Sequence, residues 1–242
     1  MNITTTIENK IATISFFHPA HNSMPTDLLN ALTKAIDAAG KDDAVAVIIL
    51  RSTGDRTFCA GASFDELKSI SDLESGKKFF SGFANVINTM RLCPKLIIVR
   101  VQGKAVGGGV GIAAAGDYCM ATKFADIKLS ELTIGIGPFV IAPVVERKMG
   151  LSAFSELAIN ASEFRSADWA RQKGLYNAVF ESTDLLDAHV QQLAEKLAAS
   201  SPSAMREMKK IFWQGTAHWD TLLNERAGIS GQLILSVNSK LF

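Results

Sequence analysis

The stretch VQGKAVGGGVGIAAAGDYCMA (Val101–Ala121) decides the fold. It joins the end of one apolar run, Leu96–Val101, to a glycine cluster at residues 107–111 and then to a second apolar run, Tyr118–Thr122. Nearly continuous apolar runs are typical of parallel strands that are covered on both faces. The small residues between the runs favour a helix, and such strand–helix–strand units are right-handed. The stretch therefore predicts an α/β fold.

The sequence on both sides continues this pattern. Residues 3–17 have the composition of a β-hairpin, Pro25 suits the first turn of a helix, and residues 44–50 form another apolar run. Towards the C-terminus the spacing of apolar residues becomes helical. We expect a single domain with an α/β core over residues 1–190 and a C-terminal helical region over residues 191–242.

Composition limits the class of protein. The chain has 242 residues, 48% of them hydrophobic, and a formal net charge of +1. Near-neutral charge argues against a nucleic-acid partner, and no apolar stretch is long enough to span a membrane. Three scattered cysteines, four dispersed histidines and the lack of a signal peptide predict a reduced, cytoplasmic protein without a metal site.

The glycine cluster allows three interpretations. Residues 109–114 fit a GxGxxA dinucleotide-binding fingerprint, and Glu131 follows at a suitable distance. However, that fingerprint should follow its strand directly, whereas Gly107 lies well beyond the strand end at Val101. Alternatively, the small residues only allow close helix packing. The third interpretation is chemical: a glycine at a helix start offers an unshielded backbone N–H, which is one half of an oxyanion hole.

A second stretch of small residues, FCAGASFDEL (Phe58–Leu67), also leads from an apolar segment into a helix. Its small side chains let a ligand approach the backbone. An oxyanion hole needs two N–H donors, and parallel strands carry their loops to the same sheet edge. Each of the two stretches of small residues would supply one of these N–H donors. Ser63 lacks the GxSxG context of a nucleophile and is interpreted as a small groove residue.

Three segments in this order, FCAGASFDEL, VQGKAVGGGVGIAAAGDYCMA and SELTIGIGPF, resemble the crotonase (enoyl-CoA hydratase/isomerase) superfamily. The resemblance covers most of the chain. It implies a spiral of ββα units with a helical C-terminal trimerisation region, assembled as a homotrimer or a dimer of trimers. It also implies an enzyme of fatty acid metabolism that acts on acyl-CoA thioesters, with coenzyme A entering as part of the substrate and no other cofactor.

The resemblance also implies roles for individual residues. The backbone amides of Ala62 and Gly108 would form the oxyanion hole, and Glu131 would shuttle the proton. For His21, a helix-entry turn is an equally good interpretation. The groove for the substrate and its coenzyme A would be lined by His21, Ala60, Ala62, Ser63, Phe64, Val106, Gly107, Gly108, Gly111, Ser130, Glu131 and Ile134.

One departure from the family pattern bears on the reaction. Hydratases of this family typically carry a second glutamate three positions beyond the oxyanion glycine, where this chain has Gly111. Hydration benefits from two carboxylates around one water, whereas a single carboxylate can move a proton between two carbons. The resemblance therefore favours enoyl-CoA double-bond isomerisation. The alternatives are a single-glutamate enoyl-CoA hydratase (a lyase) and a non-catalytic CoA-binding relative.

The neighbours of Glu131 predict a buried carboxyl group. Leu129, Leu132, Ile134 and Ile136 should bury the segment, and desolvation should raise the pKa of the carboxyl.

Other carboxylates are weaker candidates. Asp65 and Glu66 are expected on the solvated face of a helix. Asp65 also stands where the family often has a basic residue for the CoA phosphates, so Lys68 is the nearest substitute. The C-terminal sequence lacks the acidic stretch and the basic tail of many family members.

Overall fold

The computed structural model describes residues 2–241, with side chains described for residues 2–237. The strands are β1 (Asn2–Glu8), β2 (Ile11–Phe17), β3 (Val47–Ser52), β4 (Thr57–Cys59), β5 (Leu96–Val101), β6 (Lys104–Val106), β7 (Tyr118–Thr122), β8 (Ile127–Lys128) and β9 (Ala178–Phe180). The helices are α1 (Thr26–Lys41), α2 (Phe64–Ser69), α3 (Leu73–Leu92), α4 (Gly108–Ala114), α5 (Ala142–Ile159), α6 (Ala167–Gln172), α7 (Thr183–Ala198), α8 (Pro202–Phe212) and α9 (Trp219–Leu241). A 3-10 helix, Glu131–Ile134, precedes α5.

The larger sheet has the strand order β1-β2-β3-β5-β7-β9. Strands β1 and β2 form an antiparallel hairpin, and the other neighbouring pairs are parallel. Alternate residues of β3 enter two separate cores. Ile48 and Leu50 pack in the main core with α1 and α3, whereas Val47 and Ile49 pack against α7 on the opposite face. Both faces are therefore covered, as the apolar strand sequences predict.

A second, smaller sheet consists of the parallel strands β4-β6-β8. The apolar segment before Ala60 indicated β4 in the sequence, whereas β6 and β8 were not predicted, because two or three residues show no periodicity that separates a strand from a loop. This small sheet positions the three motifs, since each of its strands leads directly into one of them.

The α/β fold predicted from the sequence is confirmed. Helix α5 carries non-helical backbone angles at Gly150 (φ 79°, ψ 158°), which mark a kink inside it. Helix α9, which the sequence analysis did not resolve as an element, packs along α3. The division after residue 190 stays a prediction; that residue lies inside α7, whose apolar face packs under the larger sheet.

Candidate active site

The candidate active site lies at the carboxyl ends of the smaller sheet. Strand β4 leads into residues 60–63, β6 leads into Gly107 and Gly108, and β8 leads into Ser130 and Glu131. Neighbouring parallel strands end at the same sheet edge, so the three motifs meet there.

The loops after β4 and β6 touch through Gly61. Its φ of 85° lies in the left-handed region that favours glycine. An ideal Cβ at this position would lie 2.8 Å from the Val106 carbonyl oxygen and 3.5 Å from the Gly108 nitrogen. The absence of a side chain at Gly61 therefore lets the two loop backbones approach each other.

Two backbone N–H groups on this edge, those of Ala62 and Gly108, have no acceptor among the described residues. The hydrogen bonds beside Ala62 are made by its neighbour: the Gly61 N–H donates to Cys59 Sγ at 3.4 Å, and the Gly61 carbonyl accepts from Met24 at 2.8 Å. Gly108 is the first residue of α4, where helical N–H groups lack an intrahelical acceptor. Both residues line the cavity described below.

The start of α4 is fixed by its glycines. Gly107 has a φ of 52°, and its N–H donates to the Lys128 carbonyl at 2.8 Å, which ties this loop to the end of β8. A Cβ on Gly108 would collide with the ring of Phe83 from α3. The glycine cluster thus serves packing and also leaves Gly108, a lining residue of the cavity, without a side chain.

The carboxyl group of Glu131 lies against Gly107. An ideal Cβ on Gly107 would be only 2.8 Å from Glu131 Oε1, so the glycine leaves the space that the carboxyl occupies. The residue as a whole is half-buried, but Oε2 is fully buried and has no hydrogen-bond partner among the described residues. Burial raises the pKa of Glu131 from 4.5 to about 7. A carboxyl group with this pKa can take up and release a proton near neutral pH.

Only some of the apolar residues near Glu131 are buried as the sequence predicts. Leu129 and Ile136 are buried and Ile134 is half-buried, but Leu132 is 56% exposed, so its predicted burial was wrong. The reason is geometric, because a 3-10 helix has three residues per turn. Leu132, one position after Glu131, points to another side, whereas Ile134 lies one turn further on the same side.

The position of the missing second glutamate is closed by an apolar side chain. A Cβ on Gly111 would collide with the side chain of Ile141, and Ile141 lines the cavity. Among the described lining residues, the acidic side chains are those of Glu131 and Asp65, and Asp65 is exposed. Glu131 is therefore the one lining carboxyl group in this part of the chain that is withdrawn from water.

The three motifs surround a cavity of about 440 Å³. Its exposed lining residues, which mark the mouth, include Ala20, Phe64 and Asp65. Its buried end is mostly apolar and is lined by Leu67, Phe80, Phe83, Ile136, Val140, Ile141 and Ser230.

Most residues expected in the substrate groove line this cavity, namely Ala60, Ala62, Ser63, Phe64, Gly107, Gly108, Ser130, Glu131 and Ile134. Three expected residues, His21, Val106 and Gly111, do not. The side chain of His21 is exposed and its φ is 53°, which favours the turn interpretation. His18 lines the cavity instead, with Nδ1 3.0 Å from the Ser23 hydroxyl.

Two residues beside the mouth have structural roles. Glu66, expected on a solvated face, is half-buried and accepts hydrogen bonds from the Thr26 N–H at 2.9 Å and the Thr26 hydroxyl at 2.8 Å, so that prediction was wrong. These hydrogen bonds connect Glu66 of α2 to the start of α1. Ser63 caps α2 by accepting from the Glu66 N–H at 3.4 Å.

Sequence reasoning missed the residues that close the buried end. Phe80, Phe83 and Ser230 were not identified as site residues. No local motif marks them, because they reach the cavity through the packing of α3 and α9. Within residues 2–241 no group of three or more metal-ligating side chains is found, and no helix of that part is long and apolar enough to cross a membrane.

Comparisons with known proteins show the family of the chain. The sequence model described as "Enoyl-CoA hydratase/isomerase" matches residues 6–231. The chain is 30% identical to a short-chain-enoyl-CoA hydratase of Clostridium acetobutylicum, over 86% of this chain and 79% of the relative. It is 29% identical to a peroxisomal Delta(3,5)-Delta(2,4)-dienoyl-CoA isomerase of Arabidopsis thaliana, over 81% of this chain and 77% of the relative.

A solved structure extends the agreement to the whole fold. The crystal structure of an enoyl-CoA hydratase from Bacillus halodurans superposes with a TM-score of 0.90, covers 99% of both chains and shares 19% identity, which supports the fold alone. The crotonase-like α/β fold with a C-terminal helix is thus confirmed. With the family match covering nearly all of the sequence, the chain belongs to the enoyl-CoA hydratase/isomerase family.

Proposed function

We propose that this protein is an enoyl-CoA isomerase that shifts a double bond with Glu131 as its only proton shuttle. Two observations together carry the proposal. Among its described lining residues the cavity has one desolvated carboxyl group, and an apolar side chain occupies the place where a second carboxyl group would lie. Glu131 is buried beside Gly107, and Ile141 occupies the space that a side chain at residue 111 would need. One such carboxyl is sufficient for a double-bond shift, because the same group takes a proton and returns it.

The proposed reaction begins with a 3-enoyl-CoA. Its thioester oxygen accepts hydrogen bonds from the N–H groups of Ala62 and Gly108. The Glu131 carboxylate removes a proton from the α-carbon, and the electron pair moves toward the thioester oxygen, where the two N–H groups stabilise the dienolate. Protonated Glu131 then donates this proton to the γ-carbon. The product is the conjugated 2-enoyl-CoA, and Glu131 returns to its starting state.

Hydration with a single glutamate is the second candidate. It is favoured by the similarity to the Clostridium acetobutylicum hydratase and by exposed lining residues such as Asp65, which show that the mouth opens to water. In that reaction Glu131 would activate the water that adds to the β-carbon. The donors at Ala62 and Gly108 would serve both reactions equally, so these donors do not distinguish the two candidates.

The mouth of the cavity is the proposed entry for coenzyme A. Phe64 is 56% exposed there, and the Lys68 ammonium lies 4.6 Å from the centre of its ring. A cation on this rim suits the CoA phosphates, which supports Lys68 as the substitute for the basic residue that Asp65 replaces. We propose no resident cofactor, since the thioester itself carries coenzyme A.

A substrate panel tests the proposed function. Purified protein is incubated with 3-hexenoyl-CoA and with crotonyl-CoA, and products are identified by mass spectrometry and by absorbance of the conjugated thioester. We expect conversion of 3-hexenoyl-CoA to the 2-enoyl ester, and a fall of about 10²–10⁴ in kcat for Glu131→Gln, the usual contribution of a general acid–base group.

The matched control is Glu146→Gln, the same chemical change on an exposed residue of α5. It should leave the rate unchanged. Rapid hydration of crotonyl-CoA without isomerisation would reverse the ranking of the two candidates. Full isomerase activity in Glu131→Gln would remove Glu131 from the mechanism.

We also propose a homotrimer or a dimer of trimers in a reduced, cytoplasmic setting. Leu151, Ile159 and Ile211 are more than 60% exposed on α5 and α8, which supports association with another copy of the chain. The cysteines at 59, 93 and 119 are free and buried. Light scattering on the purified protein measures the assembly, and a monomer would contradict the proposal.

A further inference from the structure

The buried end of the cavity is closed by α9. Helix α9 crosses α3 at two glycines, where an ideal Cβ on Gly76 would lie 2.9 Å from the Gly231 Cα. A Cβ on Gly231 would lie 2.7 Å from the backbone nitrogen of Lys77. This close crossing fixes the height and rotation of α9 above α3. It sets the preceding residue, Ser230, in the cavity wall.

Ser230 brings a polar group into an apolar environment. The residue is 1% exposed and lines the cavity, where the other residues of the buried end are apolar. Ser236, another serine of the same helix, does not line the cavity, and its hydroxyl donates to the Gln232 carbonyl at 3.2 Å. The Ser230 hydroxyl can therefore take a polar group of a bound acyl chain as its hydrogen-bond partner.

The charges in the wall restrict what that partner is. The acidic lining residues are Glu131 and Asp65, and none of the described lining residues is a lysine or an arginine. A carboxylate on the acyl chain would therefore be buried without a cation and close to another carboxyl group, which is strongly unfavourable. The matching group is an uncharged oxygen, such as a hydroxyl or a ketone.

We infer that Ser230 is a specificity-determining residue that hydrogen-bonds an uncharged oxygen substituent on the acyl chain of the CoA thioester. The inference rests on the proposed function only in assigning the cavity to an acyl-CoA. The substrate class is then an enoyl-CoA whose chain carries a hydroxyl or keto group beyond the reacting carbons. The rest of the buried wall, including Phe80 and Phe83, contacts the hydrocarbon part.

Binding of unreactive esters tests the inference. Isothermal titration calorimetry compares hexanoyl-CoA with hexanoyl-CoA esters that carry a hydroxyl on the fourth, fifth or sixth carbon. Saturated chains do not react, so the result does not depend on the chemistry of Glu131. We expect the wild type to bind at least one hydroxylated ester about tenfold more tightly than hexanoyl-CoA, the gain typical of one neutral hydrogen bond.

Ser230→Ala should abolish this preference while leaving hexanoyl-CoA affinity within a few-fold of wild type. Ser236→Ala, on the same helix but outside the cavity wall, should keep the preference. Equal binding of all esters by the wild type, or equal losses for all esters in Ser230→Ala, would overturn the inference. Failure of every ester to bind would instead contradict the proposed function.

Discussion

Two glycines of the α4 segment make room for opposite chemistries. Gly107 leaves space for the carboxyl group of Glu131, and Gly111, about one turn along the helix, leaves space for the hydrocarbon side chain of Ile141. The local device is the same at both places, since an absent Cβ lets a neighbouring segment approach. The comparison shows that one backbone segment can accommodate either a carboxyl group or an apolar side chain that closes the cavity wall. The number of carboxyl groups in the cavity distinguishes the candidate reactions.

The largest expected effect of a change within α4 comes from the donor between these two glycines. Gly108→Ala would force its Cβ into the ring of Phe83 and displace the backbone N–H. Removal of one oxyanion donor typically lowers kcat by about 10²–10³, and we expect a loss of that size here. Steady-state kinetics with 3-hexenoyl-CoA measure it.

A second variant separates this effect from misfolding. Phe83→Ala in the Gly108→Ala background removes the ring that causes the collision, and we expect it to restore kcat at least tenfold. Gly228→Ala is the matched control, because its Cβ would meet only the end of the Lys77 side chain at 4.0 Å. An unchanged rate in Gly108→Ala would show that the N–H of Gly108 does not hold the thioester oxygen.

The two sides of this comparison were not equally predictable from the sequence. The positions of Glu131 and Gly111 follow from motifs, because residue identity and spacing are local properties. The role of Ile141 does not, since it depends on how α5 packs on α4. The same holds for Ser230, which reaches the cavity through the crossing of α9 and α3. Most strands of the larger sheet were predicted from the hairpin pattern and the apolar runs, but β9 was not, and β6 and β8 of the small sheet were too short to leave a pattern.

The next expected effect is on stability, because burial of the Glu131 carboxyl group disfavours its ionised form. The pKa of Glu131 is raised from 4.5 to about 7, so between these pH values the folded protein keeps a proton that the unfolded chain has released. The free energy of unfolding therefore falls as the pH rises from about 4.5 to above 7. A rise of the pKa from 4.5 to about 7 corresponds to about 3 kcal/mol as an upper limit.

Glu131→Gln removes this titration. At pH 8 we expect the variant to unfold at a higher urea concentration than wild type, with a free energy of unfolding about 1–3 kcal/mol larger. At pH 4 the two proteins should have the same free energy of unfolding. Glu146→Gln, which changes an exposed carboxyl group, should show no such pH-dependent gain. Equal stabilities of Glu131→Gln and wild type at pH 8 would show that the carboxyl group is not desolvated in the folded protein.

The smallest expected effect tests whether the sealed position decides the reaction. Gly111→Glu alone should be strongly destabilised, because its side chain would collide with Ile141. Combining it with Ile141→Gly opens the cavity wall, and glycine is tolerated at this N-cap position of α5. The new carboxyl group would then face Glu131 across the cavity and share a water with it. We expect the ratio of hydration to isomerisation to rise about tenfold, less than the roughly 10²–10⁴ of a well-positioned general acid–base group, because the fold does not position the introduced carboxyl.

The neutral double variant, Gly111→Gln with Ile141→Gly, tests whether the charge of the new side chain or the space left by Ile141 changes the reaction. If an added acid changes the outcome, only the glutamate variant gains hydration of crotonyl-CoA, and both variants lose similar stability through the missing Ile141 side chain. If both gain hydration equally, water access through the opened wall is the controlling factor, and the seal acts by excluding water. If neither gains it, Glu131 already performs every proton transfer that the cavity permits, and the identity of residue 111 does not select the reaction.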